Sequence, residues 1–187
     1  GIGPGHPERV EQAARPYGPL VDCLDALEAR GVPAPRLVLA ALGDRILRLS
    51  AERALGAHPY FVTPAHAVRA RSVLGPSPLL VPEVRVALEA DPAAARARLR
   101  PGMRYYFELA NYRNNLLRLG VAEEMLDPER DDAIDLLAVH GDAGQVRARV
   151  DAHLAAGADH VLLQLVPADE AGLVDELRRL GAALGLG

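Results

Sequence analysis

RLVLAALGDRILRLSAERALGAHPYF, residues 36 to 61, holds a whole structural unit in one line of sequence. A short apolar run from Leu37 to Leu42 meets Gly43 and Asp44. A helical pattern follows as far as Gly56, and a second apolar run occupies Ala57 to Val62. Apolar runs this short, separated by one amphipathic segment, predict two parallel strands buried on both faces with a helix packed across them. Leu47, Ala51, Ala54 and Leu55 form the expected buried stripe of that helix, with Arg45, Arg48 and Glu52 toward water. In such a unit, chemistry belongs where the first strand ends.

The same alternation extends in both directions. Upstream, Leu20, Leu24 and Leu27 share a helical face that Gly31 and Pro33 terminate. The Gly- and Pro-rich stretch before it, Gly1 to Pro19, reads as a loop. Downstream, Thr63-Pro64 and Asp91-Pro92 each place a capping residue before a proline at the first helical position, where no amide hydrogen is needed. Between them Leu79 to Leu88 reads as a strand interrupted at its start by Pro82. There Val84, Val86 and Leu88 alternate with Glu83, Arg85 and Ala87, as expected for one wetter face. Residues 110 to 135 lose the pattern and are expected to form an excursion, of the kind that serves as a lid or substrate loop. A short helix over Ala133 to Val139 is expected next. A helix capped by Asp142 follows, with Val146, Val150 and Leu154 as its stripe. A buried strand spans His160 to Val166, and the last helix starts near Asp169 with Leu173, Leu177, Leu180 and Leu184 inward.

Four strands alternating with helices predict an all-parallel sheet in one domain spanning 1 to 187. A closed eight-stranded barrel needs roughly 200 residues or more, so the expected object is the C-terminal part of a TIM barrel or a compact doubly wound sheet. Half of the 187 residues are hydrophobic, enough for one sizeable core, and the net charge of -4 argues against nucleic acid as a partner. No apolar stretch reaches the ~18 residues of a membrane span, and no leader pattern is present. The single cysteine, Cys23, fits a cytoplasmic location and falls on an apolar helical stripe that predicts core. Every basic residue is Arg and none is Lys, which excludes a Schiff-base lysine within these residues. Zinc-type spacing, a nucleophile elbow and a Walker loop are all missing from the sequence, so no metal site is predicted.

The turn Ala41-Leu42-Gly43-Asp44-Arg45 is a candidate phosphate site, because a helix start offers unpaired amides and a partial positive charge. Asp44 is expected to cap the helix, leaving Leu42, Gly43 and Arg45 for the phosphate; a plain chain turn at Gly43 is the alternative. Gly3, Gly5 and His6 form a second candidate, a loop able to approach a cofactor closely, or else a flexible terminus. His58 and Tyr60 follow the second apolar run; His58 is a candidate acid, base or donor, or a structural histidine. Asn111, Tyr112 and Asn115 offer amide and phenol hydrogen bonds to a neutral organic substrate, or cap the excursion.

Five ordered blocks carry a family resemblance: GIGPGHPE at 1 to 8, LAALGDRILRLSAERALGAHPYFVTPAH at 39 to 66, LLVPEVRVALEADPAAAR at 79 to 96, NYRNNLLRLG at 111 to 120, and HGDAGQVRARVDAHLAAGADHVLLQLV at 140 to 166. In this order and spacing the chain resembles the luciferase-like flavin and deazaflavin monooxygenases, in particular their F420-dependent oxidoreductase branch of actinobacterial type. The resemblance implies a (β/α)8 TIM barrel of which this chain holds about the end of strand four through strand eight. It further implies an organic substrate, coenzyme F420 or alternatively FMN, and a homodimer. Ala41 to Arg45 would then lie at the cofactor phosphate, with His58 and Tyr60 at the barrel mouth. A further reading is a non-catalytic, truncated barrel serving as a binding or assembly module.

Overall fold

The computed structural model describes residues 2–3 and 17–186. Helix α1 (Tyr17–Ala29) buries Leu20 and Leu24. Strand β1 (Val38–Leu39), helix α2 (Asp44–Arg53) and strand β2 (Gly56–Ala57) then form the predicted unit. The two strands are parallel, Val38 opposite Gly56 and Leu39 opposite Ala57. They are shorter than the apolar runs, although main-chain bonds from Leu55 N to Leu37 O and from His58 N to Leu39 O, each 2.8 Å, carry the pairing past both ends. Gly56 is fixed by proximity: a Cβ there would sit 1.8 Å from the Leu79 oxygen of the next strand.

Helix α3 (Pro64–Leu74) begins at the Thr63-Pro64 signal and ends at Gly75, whose φ of 80° suits glycine. The predicted strand from Leu79 to Leu88 is present in two pieces, β3 (Leu79–Leu80) and β4 (Glu83–Ala87), divided at Val81-Pro82. β3 pairs with β2, and bonds from Val81 N to Ala57 O and from Glu83 N to Pro59 O hold the break to the same neighbour. β4 then pairs in parallel with β5 (Ala138–His140) and with β6 (Leu162–Leu165). Ile2 bridges Leu39 in parallel at the outer side of β1. All these pairings are parallel, as the alternation predicts.

Most of residues 92 to 137 is helical, in pieces joined by short turns. Helix α4 (Pro92–Glu108) starts at Asp91, whose side chain accepts from the Ala93 amide, and contains Pro101. Helix α5 (Ala110–Arg118), a 3-10 turn at Glu123–Met125 and helix α6 (Asp131–Leu137) follow, so the predicted excursion is an ordered helical layer. α6 stops two residues before Val139, and the expected helix over Ala133 to Val139 gives way to β5. Helix α7 (Ala143–Ala155) has a full capping box between Asp142 and Gln145, and helix α8 (Leu173–Leu184) closes the chain.

Around β4 to β6 two packing layers result. Val84, Val86, Val139, Val146, Leu165 and Leu180 join β4, β5 and β6 to α7 and α8. On the other side Phe61, Ala87, Leu99, Met103, Phe107, Tyr112 and Leu116 join the strand ends to α4 through α6. Several sequence expectations are corrected here. Cys23 is exposed, because α1 buries only the narrow line of Leu20 and Leu24. Leu55, Leu154 and Leu177 are exposed too, and α7 buries His153 in place of Leu154.

Candidate functional site

The segment after β2 turns sharply. Phe61 has a φ of 56°, the left-handed region, in a non-glycine residue. Tyr60 and Phe61 thereby both enter one aromatic cluster with Tyr106 and Tyr112. Tyr60 lies 5.5 Å from Tyr106 and 5.4 Å from Tyr112, and Phe61 stacks on Tyr106 at 5.1 Å. Tyr105 and Phe107 extend the cluster along α4. Such ring pairs add to their burial through tilted and edge contacts.

His58 sits at its edge, 6.1 Å from Tyr60. Its Nδ1 is 2.7 Å from the Val81 carbonyl oxygen and its Nε2 is 3.7 Å from Glu83 Oε2. A carbonyl only accepts, so Nδ1 carries the proton; Nε2 faces the Glu83 carboxylate, which also only accepts, so that contact is an ion pair only when Nε2 is protonated too. Burial raises the Tyr60 phenol above its ordinary pKa, opposed by a hydrogen bond with Tyr112. Tyr112 is raised more strongly, by burial first and by that same bond second, a pattern in which Tyr112 donates to Tyr60. The two phenols therefore stay protonated and neutral near physiological pH.

The other predicted residues are placed as follows. Asn111 is on the exposed side of α5, one residue from buried Tyr112. Asn115 is buried on α5 against His66 of α3, and among the described residues its Nδ2 has no hydrogen-bond partner. Gly43 is the N-cap of α2 with ordinary extended angles, and a Cβ on it would meet nothing within 4 Å. Asp44 is the first helical residue, so the cap expected of it falls to Gly43; its carboxylate instead takes a two-pronged bond from Arg69, at 3.2 and 2.8 Å. Among the described residues the amides of Asp44 and Arg45 make no main-chain bond. The Arg45 guanidinium stacks 3.6 Å over the Tyr17 ring, Ala41 is buried, and Leu42 packs toward the aromatic cluster. Gly3 lies against Ala40, 3.0 Å from its Cβ to the position a Cβ would take, so it neighbours the Ala41 to Gly43 turn. Gly5 and His6 lie outside the described residues.

Sequence reasoning overlooked Phe61, Tyr106, Glu83 and Arg85. The signal for the last two was the alternation of β4, which puts Glu83 and Arg85 on one half-buried face and Val84 and Val86 on the buried one. A niche of about 10 Å³ is lined by Tyr60, Phe61, Glu83, Arg85, Tyr106 and Leu137. A larger cleft of about 390 Å³ opens between α6 and α7, beside Asp135, His140 and Arg149. Its charged groups are engaged: Asp135 by Arg96 and His140, and Arg149 by the carbonyls that end α6. Among the described residues no group of His, Cys, Asp and Glu is arranged to hold a metal, and no helix is long and apolar enough to cross a membrane.

Parallel strands alternating with helices make this an α/β protein, with His58, Tyr60 and the start of α2 following strand ends. Solved structures share that fold. An F420-dependent secondary alcohol dehydrogenase in complex with an F420-acetone adduct matches with a TM-score of 0.55 at 15% identity, over 80% of this chain and 48% of that one. EDTA monooxygenase from Chelativorans sp. BNC1 matches with a TM-score of 0.57 at 14% identity, over 83% and 46%. Apo-MsnO8 matches with a TM-score of 0.53 at 20% identity, over 81% and 51%. These are luciferase-like proteins, and the likeness is one of fold. The chain spans about half the length of each. No protein-family model and no curated protein sequence matches the chain.

Proposed function

We propose that this chain forms the C-terminal part of a luciferase-like oxidoreductase that exchanges a hydride between coenzyme F420 and a small organic substrate in the cytoplasm. The observation that carries the reading is the shared fold with His58, Tyr60 and Tyr112 gathered at the ends of parallel strands. The start of α2 suits the cofactor phosphate. The Asp44 carboxylate is held by Arg69 and does not compete for the helix amides, and the space beside Gly43 is open. Main-chain amides of residues 43 to 45 would bind the phosphate, with Gly3 beside them.

When bound, the deazaflavin supplies the hydride chemistry. The protein's part is orientation and proton handling. Tyr60 and Tyr112 keep neutral hydroxyls in an apolar wall that excludes water. His58, fixed as the Nδ1-H tautomer by Val81, presents Nε2 as an acceptor for a substrate proton. FMN-dependent monooxygenation is the second reading, favoured by the fold shared with EDTA monooxygenase.

Titration of the intact protein with F420 and, separately, with FMN tests the choice. Tight F420 binding without FMN binding is the expected result. FMN binding without F420 binding would transfer the assignment to the monooxygenase reading, and binding of neither would sink both.

A further inference from the structure

Arg85 has a seat but, among the described residues, no salt-bridge partner. It projects from β4 with its guanidinium 5.1 Å from the Tyr106 ring centre, and a Cβ on Gly102 would fall 2.3 Å from its Nη1. Gly102 and Tyr106 are four residues apart on α4 and so share a face. Together they form a cradle: the missing side chain at 102 admits the planar group, and the ring at 106 supports it. The cradle has a cost in helix stability. Pro101 and Gly102 are adjacent in the interior of α4, where both residue types disfavour helix.

No carboxylate or other acceptor among the described residues takes a bond from this guanidinium, and its nitrogens are not sealed from solvent. On α4 itself the arrangement differs, for Arg96, Arg98, Arg100 and Arg104 each face an acidic side chain. Glu83, the carboxylate lining the same niche, faces His58. The niche therefore presents a preorganised, uncommitted fork of N–H donors beside phenol rings at the strand ends. That fork matches the planar geometry of a carboxylate.

We propose that Arg85 is an anion-recognition residue and that the molecule taken at this site carries a carboxylate, whose oxygen enters the niche between Arg85 and Tyr106. This names the substrate class of the site described above and rests on that reading only in calling the ligand a substrate. It amends the neutral substrate expected from Asn111, Tyr112 and Asn115.

The protein contains no tryptophan and five tyrosines. Tyr60, Tyr105, Tyr106 and Tyr112 all belong to the cluster, so near-ultraviolet circular dichroism reports on this site directly. The experiment titrates the intact, cofactor-free protein with benzoate and with its neutral isostere benzamide. Benzoate is expected to bind roughly tenfold or more tighter, since a charged hydrogen-bonded pair contributes that much. Arg85→Gln should abolish the preference, and Gly102→Ala, which keeps the charge but crowds the guanidinium, should weaken it. Arg178→Gln, at an exposed site, should leave it intact. Equal binding of the two probes, absence of benzoate binding, or unchanged benzoate preference in a folded Arg85→Gln would each overturn the proposal. Because no cofactor is present, the result stands apart from the F420 and FMN titrations.

Discussion

The Nδ1 of His58 lies 2.7 Å from the main-chain oxygen of Val81, a residue on the neighbouring strand segment. That contact fixes which imidazole nitrogen is free. Nitrogen-15 NMR of the histidine rings is expected to show His58 as the Nδ1-H tautomer in its neutral form. A ring protonated at Nε2 in the neutral state would contradict the geometry. His58→Gln is expected to preserve the fold and reduce turnover by about a hundredfold or more, the range usual for a positioned acid or base.

Two buried histidines make stability depend on pH. His66 and His153 are fully buried, their ring nitrogens lack hydrogen-bond partners among the described residues, and burial lowers both pKa values to about 4. Asn115 beside His66 opposes that shift without a well-formed bond. Below a free-imidazole value of 6.5 the unfolded chain binds protons that the folded chain refuses until about pH 4. Stability is therefore complete above pH 6.5, erodes as pH falls toward 4, and levels off below it. Each histidine contributes up to about 3 kcal/mol to the loss. Urea unfolding of the His66→Leu/His153→Leu variant should show a flatter dependence across that window than the parent; an unchanged slope would refute the assignment.

Arg71 ties three segments together. Its guanidinium donates to the carbonyls of Gly157, Gly75 and Pro78 and to Asp159, whose carboxylate also accepts from the Leu80 amide. Arg71→Met would leave several acceptors without their donor, at a cost of about 2 to 4 kcal/mol. Chemical denaturation is the measurement. A loss below about 0.5 kcal/mol would mark the network as incidental.

Phe61 sets backbone strain against ring packing. Phe61→Gly relieves roughly 1 kcal/mol of left-handed conformation but removes a buried ring that contacts Tyr106, Phe107 and Tyr112. Loss of a buried phenylalanine costs about 3 to 5 kcal/mol, so packing wins and the variant is destabilised. A variant more stable than the parent would show that strain dominates.

The two glycines of the opening unit give a sharper contrast. Gly43→Ala meets open space at ordinary angles and should change stability by less than about 0.5 kcal/mol. Gly56→Ala meets the Leu79 main chain and should prevent the β2–β3 pairing. Thermal melts of the two variants test both expectations, and equal melting temperatures would overturn the distinction.

Much of this arrangement was legible from local chemistry. The Asp91 and Asp142 caps, the Pro82 interruption and the alternation of Glu83 to Ala87 act within a few residues, so they survive folding unchanged. What escaped depends on distant partners. β5 is hidden because Ala138 and Val139 continue the apolar stripe of α6, and only β4 makes them a strand. The Asn-rich start of α5 resembles a loop, yet Tyr112, Asn115 and Leu116 fall on one helical face and are buried by α4 and α3. His66 and His153 look like surface positions until the elements around them close. In the candidate site, His58, Tyr60 and Tyr112 were readable as a strand end and a following aromatic. Arg85 was not, since its meaning lies in a glycine on another element.

The main-chain nitrogen of Gly141 is 3.2 Å from the oxygen of Ala87. The chain thus departs from the sheet at Ala87, builds α4 through α6, and returns beside its own point of departure. Such a segment behaves as a cassette: a different one can be spliced between the same two anchor points without rerouting any strand. Evolution can therefore replace the wall that recognises a ligand while leaving the scaffold that presents it untouched.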